Sequence, residues 1–206
     1  MQSREELIRS IEHLKKTEVR DLIKIRLGEF DKRSNREFFS ELCFCILTAN
    51  FNAEKSMKIQ DEVEKEFLTL SELKLAEKLK QLGHRFPNTR AKYIVEARRH
   101  INFLSDLGPY SPEELRENLI KNVKGIGYKE ASHFLRNIGY KDFAILDFHI
   151  IDLLIRHGLI RDPGPLTRKK YLKIEDLLRG IAQELDLPLG ELDLYLWFAE
   201  TGKILK

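Results

Sequence analysis

The chain has 206 residues, 36 Lys+Arg against 33 Asp+Glu, a formal net charge of +3 and 42% hydrophobic residues. That length suits one large domain or two small interlocked ones, and the apolar fraction is enough for a packed core. A charge of +3 does not by itself separate a nucleic-acid binder from a merely soluble protein, so the placement of the charges has to decide. Only two cysteines occur, Cys43 and Cys45. Two apart on a helix, they point in different directions, form no disulfide framework or metal cage, and exclude a four-cysteine iron–sulfur cluster. Reduced thiols, the absence of a signal-peptide pattern in MQSREELIRS, and the lack of any apolar run near the ~18–20 residues of a membrane span together read as a soluble, cytoplasmic chain.

The dominant period is helical. Ile8, Ile11 and Leu14, then Val19, Leu22, Ile23 and Leu27, step by three and four residues. Ser34-Asn-Arg-Glu37 has capping-box form ahead of the apolar run from Phe38 to Leu47. Pro87-Asn88 breaks the chain before an amphipathic segment from Thr89 to Phe103. Ser111-Pro112-Glu113-Glu114 offers an N-cap, proline at the first helical position and two acids in the first turn. Gly83, Gly108, Gly139 and Gly158 stand where helical patterns end, as C-terminal glycines do. Asp162-Pro-Gly-Pro165 is the one clear loop. No strand-length alternation, long linker, internal repeat or low-complexity tract is visible. The expectation is an all-α chain of about ten helices joined by short turns.

The segment from Leu119 to Arg136, LIKNVKGIGYKEASHFLR, carries most of the chemistry. A helix from Ser111 ends near Asn122, a Val-Lys-Gly-Ile-Gly turn follows, and a new helix starts at about Tyr128. Glycines at 125 and 127 permit unusual backbone angles and close approach of a phosphate, toward which the amides of the next helix N-terminus point. Val123 and Ile126 anchor the turn in the core. Such a clamp, made of Lys124, Gly125, Ile126 and Gly127, binds DNA backbone without reading sequence. An ordinary helix–turn–helix corner would also use two glycines, so the motif needs support from its neighbours.

Two neighbours give it. Lys129 lies two residues past the second glycine, where its ammonium meets the positive end of a helix dipole. That is an odd place for a structural lysine and a useful one for an amine nucleophile, the alternative being a solvated lysine on a basic surface. Asp147, in AILDFHIIDLLI, falls near a helix start. It is either an N-cap or a carboxylate that takes a proton from the lysine and stabilises positive charge on a sugar.

On these residues the stretch from Val123 to Leu154 resembles the helix-hairpin-helix DNA glycosylase superfamily. The resemblance rests on a Gly-hydrophobic-Gly hairpin, a lysine just after it, and an aspartate eighteen residues further on in a Leu-Asp-x-His-like setting. Lysine at 129 makes the chain look like a bifunctional, lyase-competent member. The endonuclease III branch carries a C-terminal four-cysteine motif that is missing here. The strings CILTAN (45–50), RFPNTRAKY (85–93) and KEASHFLR with NIG (129–139), and the terminal Lys206, are instead similar to the compact, archaeal-type 8-oxoguanine DNA glycosylase/AP lyases.

The resemblance implies further roles. Asn50 would enter the space left by a flipped nucleotide or contact the orphaned base, against a helix C-cap. Arg85 and Phe86 would supply a wedge into the base stack, against Phe86 as a core anchor. Trp197 would stack on the extruded base, against a core tryptophan. Lys206 would read the base, against a frayed tail. Arg90, Lys92, Arg98, Arg99 and His100 are read onto one helix, Lys121, Lys124 and Lys129 flank the hairpin, and Arg168, Lys169, Lys170 and Lys173 form the densest basic cluster. They support a DNA face whose affinity falls with salt.

The implied architecture is two helical domains with the helix-hairpin-helix motif at the interdomain cleft. Residues 34–140, with the hairpin at 119–136, would form one domain. Residues 1–33 with 141–206 would form a discontinuous second, so that Lys129 and Asp147 meet across the cleft. The implied activity is removal of 8-oxoguanine through a lysine Schiff base, followed by β-elimination. No cofactor or metal is required. The implied partner is double-stranded DNA holding oxidised guanine or abasic sites, bound by a monomer with no membrane contact. An oxidised-pyrimidine glycosylase/lyase and a non-catalytic helix-hairpin-helix module are the alternatives.

Overall fold

In a computed structural model, which describes residues 3–206 apart from the side chains of Asn35 and Arg36, the chain is helical with no strand among the described residues. Met1 and Gln2, which open the N-terminal segment MQSREELIRS, lie outside that range. Twelve α-helices are described where periodicity suggested about ten. One extra helix arises where a 3₁₀ turn over Arg98–His100 divides the Thr89–Phe103 segment into α6 (Pro87–Ala97) and α7 (Ile101–Ser105). Proline 87 does not precede α6 but opens it as the first helical residue, where its missing N–H costs nothing. Gly83, Gly139 and Gly158 take positive φ of 78°, 101° and 67° as C-terminal glycines. Gly108 does not, because α7 has already ended at Ser105.

The chain divides into two compact units, Arg33–Ile138 and Met1–Lys32 together with Gly139–Lys206. In the first, α3 (Asn35–Thr48) is the central rod, in contact with α4 (Ala53–Val63), α6, α7 and α9 (Tyr128–Asn137). Residues Leu42 to Leu47 of α3 are fully buried, so this helix is apolar on all sides as only an enclosed helix can be. Its capping box forms as read, with the Ser34 N–H donating to Glu37 at 2.8 Å. Both cysteines are buried free thiols, and burial pushes the Cys43 thiol well up, which keeps it unreactive. Glu41 is the one carboxylate wholly inside α3. It accepts from the Arg33 guanidinium at 2.9 Å and the Asn137 amide at 2.6 Å, so both ends of the unit are tied to one buried charge. The helices α5 (Glu72–Gln81) and α6 pack as an antiparallel pair, and α8 (Pro112–Asn122) packs on α9.

In the second unit, α12 (Leu189–Thr201) is central. It meets α1 (Arg4–Leu14), α2 (Glu18–Asp31), α10 (Phe148–Arg156) and α11 (Arg168–Glu184). A buried, non-helical segment, Phe143 to Leu146, leads into α10. Its backbone amides have no helix or sheet to satisfy them, so side chains do it. Ala144 donates to Glu175 Oε1 at 3.2 Å, Ile145 to Asp193 Oδ1 at 3.0 Å and Leu146 to the Tyr171 hydroxyl at 3.4 Å, while that hydroxyl donates to the Ala144 carbonyl at 2.7 Å.

Candidate active site

The hairpin joins α8 to α9. Val123 and Ile126 are buried as expected of anchors, 3% and 5% exposed. Gly125 has φ of 84°, and a Cβ there would lie 2.4 Å from Cδ2 of the Tyr93 ring, so both conformation and space demand glycine. Gly127 differs from the sequence expectation. Its φ of −104° and ψ of −168° are ordinary extended values. Its part is that of N-cap to α9, where a small residue leaves its own N–H free to donate to Glu130 Oε2 at 3.2 Å. The exposed Lys124 ammonium pairs with Glu96 of α6 at 3.1 Å.

Lys129 lies in the first turn of α9 with its side chain only 26% exposed, so it is not a solvated surface lysine. Its Nζ is 3.4 Å from Oε1 of Glu130, whose side chain is 14% exposed. One carboxylate therefore touches both the hairpin amide and the candidate nucleophile.

Two loops of the same unit carry Asn50, Arg85 and Phe86. Asn50 follows α3 with φ of 55°, a left-handed residue just past a helix end, and its side chain is exposed. Phe86 is 37% exposed, so its ring is not enclosed in the core. The Arg85 guanidinium sits 5.0 Å from the Phe86 ring centre and Arg90 5.8 Å from it. Buried His84 fastens the two loops together. A carbonyl only accepts and an amide N–H only donates, so Nε2 donates to Leu47 O at 3.0 Å and Nδ1 accepts from the Phe86 N–H at 3.0 Å. The His84 ring also stacks on Phe51, centre to centre 4.2 Å.

Arg90 and Arg98 leave the expected phosphate-facing patch. Arg90 is buried and donates to the Ala49 carbonyl. Arg98 donates to the Phe67 and Leu70 carbonyls at 2.7 and 2.6 Å. Guanidinium forks satisfy carbonyls orphaned at chain ends, a use that charge alone does not reveal in a sequence. Lys169, Lys170 and Lys173 of α11 remain exposed.

In the second unit Asp147 is the N-cap of α10, Oδ1 accepting the Ile150 N–H at 3.0 Å. The side-chain-braced segment before it fixes where the carboxylate emerges. Next to it, Phe148 is 68% exposed, and its ring lies 3.8 Å from that of His149, which meets Trp197 edge-on at 4.9 Å. Trp197 is half-buried and its buried indole N–H has no hydrogen-bond partner among the described residues, an arrangement unlike a satisfied core tryptophan. Lys206 is half-buried with Ile204 and Leu205, not a fully solvated tail. No group of three or more potential metal ligands, and no helix long and apolar enough to cross a membrane, occurs among the described residues.

The family profile described as 8-oxoguanine DNA glycosylase matches residues 23–187. The chain belongs to the 8-oxoguanine DNA glycosylase family. The 8-oxoguanine DNA glycosylase/AP lyase of Methanocaldococcus jannaschii is 53% identical over 205 residues, 97% of this chain and 99% of the relative. That of Korarchaeum cryptofilum is 50% identical over 206 residues, covering 98% and 99%. The crystal structure of the M. jannaschii glycosylase/lyase with a 15mer DNA containing 8-oxoguanine aligns with a TM-score of 0.94 at 52% identity, over 97% of this chain and 99% of the other.

Within this 8-oxoguanine DNA glycosylase family member, the first unit holds Lys129, the hairpin and the loops that carry Asn50, Arg85 and Phe86, while Asp147, Trp197 and Lys206 belong to the second. Sequence reasoning missed His84, Tyr93, Glu130, Phe148, Glu175 and Asp193. Only Glu130 left a local signal, three residues after the N-cap glycine, where a capping-box acid belongs.

Proposed function

We propose that the chain is a base-excision repair enzyme, a bifunctional DNA glycosylase/AP lyase that removes 8-oxoguanine from duplex DNA as a monomer. The observation that carries this reading is Lys129, half-buried in the first turn of the helix behind a glycine hairpin. It is supported by membership of the family and by a near-identical fold in a relative crystallised with 8-oxoguanine DNA.

The hairpin amides of Gly125 to Gly127, with Lys124, hold a backbone phosphate, which gives affinity without sequence preference. The damaged nucleotide is extruded, because C1′ of a stacked nucleotide is shielded from attack. Phe86 and Arg85 fill the gap, Asn50 meets the unpaired base, and Trp197 and Lys206 receive the extruded one. Lys129, as the free amine, attacks C1′ and the base departs with the glycosidic electron pair. Asp147 stabilises the positive charge that builds on the sugar and serves as proton acceptor for the lysine. The lysine nitrogen, having lost its proton, then pushes out the ring oxygen: the C1′–O4′ bond breaks, O4′ leaves with its electron pair and takes up a proton as a hydroxyl, and an iminium ion between Nζ and C1′ of the opened sugar results, from which the strand is cut by β-elimination. An abasic site enters the same route at its aldehyde.

The experiment is borohydride reduction during turnover on duplexes carrying 8-oxoguanine, thymine glycol or a bare abasic site. The expected result is a covalent adduct on the 8-oxoguanine and abasic duplexes, abolished in Lys129→Gln with DNA binding retained. An undiminished adduct in that variant would overturn the nucleophile. Faster processing of thymine glycol than of 8-oxoguanine would move the substrate to oxidised pyrimidines. Absence of both adduct and nicking would leave a DNA-binding module.

A further inference from the structure

The proposed reaction contains two proton removals, and the first of them is assigned above to Asp147. Base release requires the lysine to lose a proton and the sugar cation to be stabilised. Strand cleavage then requires removal of a proton from carbon, at C2′ of the iminium intermediate. That carbon is one bond from C1′ and two from Nζ, at about 2.5 Å from the nitrogen by ordinary bond lengths. Whatever base takes its proton must lie close to the lysine nitrogen and keep its place while the intermediate exists.

Glu130 meets both conditions. Its Oε1 is 3.4 Å from Lys129 Nζ, within reach of an atom bonded to C1′. Its Oε2 accepts the Gly127 N–H at 3.2 Å, which pins the carboxylate to the rim of the hairpin. At 14% exposure the side chain is largely withdrawn from water, and the buried Arg90 guanidinium is close enough to feel its charge. A capping residue needs only the bond to Gly127. The second oxygen, turned to the nucleophile, has no role in holding the helix end. Before reaction it faces an ammonium; once Nζ has become an iminium nitrogen, the same oxygen faces an acidified C–H.

We propose that Glu130 is the general base of the strand-cleavage step, taking the C2′ proton from the Lys129 iminium intermediate. The electrons of the C2′–H bond form the C1′=C2′ double bond of an enamine, and Nζ becomes neutral. The enamine then re-forms the iminium, a C2′=C3′ double bond appears, and the C3′–O bond breaks. Its electron pair leaves with the phosphate, which becomes the 5′ end of the downstream fragment. Water hydrolyses the conjugated iminium, releasing an unsaturated aldehyde and free Lys129, and the proton on Glu130 returns to solvent. The inference rests on the lyase reading above.

The test is Glu130→Gln under single turnover on an 8-oxoguanine duplex, with base release and enzyme-made nicks scored separately. Glutamine keeps an acceptor for the Gly127 N–H, so the helix cap survives while basicity is lost. Nicking is expected to fall about 10²-fold more than base release, and borohydride trapping to persist because the iminium accumulates. In Glu130→Ala, added formate is expected to restore nicking without speeding base release. Equal loss of both activities, or nicking that keeps pace with base release, overturns the role of Glu130. Failure of the wild-type enzyme to give any borohydride adduct is a different result and overturns the Schiff-base reading itself.

Discussion

The ring of His84 accepts the backbone N–H of Phe86 at 3.0 Å on one nitrogen and donates to Leu47 O at 3.0 Å from the other. Only a neutral imidazole makes both bonds, since protonation would put a hydrogen on Nδ1 where Phe86 already donates. Burial holds His84 below its ordinary 6.5, the bond to Leu47 opposes this, and nearby Arg90 adds to it. Below about pH 6.5 the unfolded chain therefore binds the proton more readily than the folded one. The stability of this bridge is present above that pH and lost as pH falls through the lowered folded value. Partly exposed His100 shifts in the same direction, so a difference between variants isolates His84. The wild-type melting temperature is expected to drop between pH 7 and pH 5 by about 2 °C more than that of His84→Gln. Thermal unfolding followed by circular dichroism checks this, and parallel pH profiles would remove His84 from the account.

Phe86 offers a cleaner separation of structure from function. At 37% exposure its ring contributes little to the core. Phe86→Ala is expected to cost under ~1 kcal/mol of stability, while base release from duplex DNA slows about tenfold. Release from a lesion in a flexible mismatch should slow less, because a poorly stacked base is cheaper to extrude. A large fall in melting temperature with unchanged duplex activity would make Phe86 structural.

Asp147 is a helix cap, and asparagine caps as well as aspartate. Asp147→Asn should therefore leave the melting temperature near wild type and lower base release by about 10²-fold or more. Asp147→Ala should lose the same activity and about 1 kcal/mol of stability besides. Single-turnover rates set beside unfolding curves distinguish the two roles, and full activity in the asparagine variant would reduce Asp147 to its cap.

The two hairpin glycines are expected to behave unequally. A methyl group at Gly125 meets the Tyr93 ring at 2.4 and 2.9 Å on a left-handed backbone, whereas at Gly127 it meets only Glu130 Oε2, at 3.2 Å. Gly125→Ala should weaken DNA binding at least tenfold, and Gly127→Ala by about threefold or less. Fluorescence anisotropy titrations at several salt concentrations measure both. Equal losses would mean that close approach of phosphate, not hairpin packing, selects the glycines.

What the sequence made legible was local. The Ser34–Glu37 and Ser111–Glu114 capping boxes form as read, with amide-to-carboxylate bonds of 2.8 Å in each, because all of their atoms lie within one helical turn. The hairpin anchors Val123 and Ile126 and the N-cap at Asp147 were readable for the same reason. Arg90 and Arg98 were read as surface charge, yet their guanidinium groups close on carbonyls 41 and 28–31 residues away. Nothing in a periodic pattern separates a buried arginine of that kind from a solvated one. The bracing of Phe143 to Leu146 by Glu175, Tyr171 and Asp193 was hidden likewise, since an acid on a distant helix carries no mark of the amide it will satisfy. Glu130 lay between the two, its cap readable and its approach to Lys129 not.

The stack on α6 has one more consequence. Arg90 lies 5.8 Å from the Phe86 ring centre and 6.0 Å from that of Tyr93, and Tyr93 in turn covers Gly125. Seven residues, about two helical turns or ~10 Å of rise, thus set the distance from Phe86 to the hairpin. The helix works as a gauge block: its outward residues can change freely, but its length cannot. One alanine inserted between Asn88 and Arg90 would turn Tyr93 by about 100° away from Phe86, lifting its ring off the hairpin and undoing the spacing between Phe86 and Gly125.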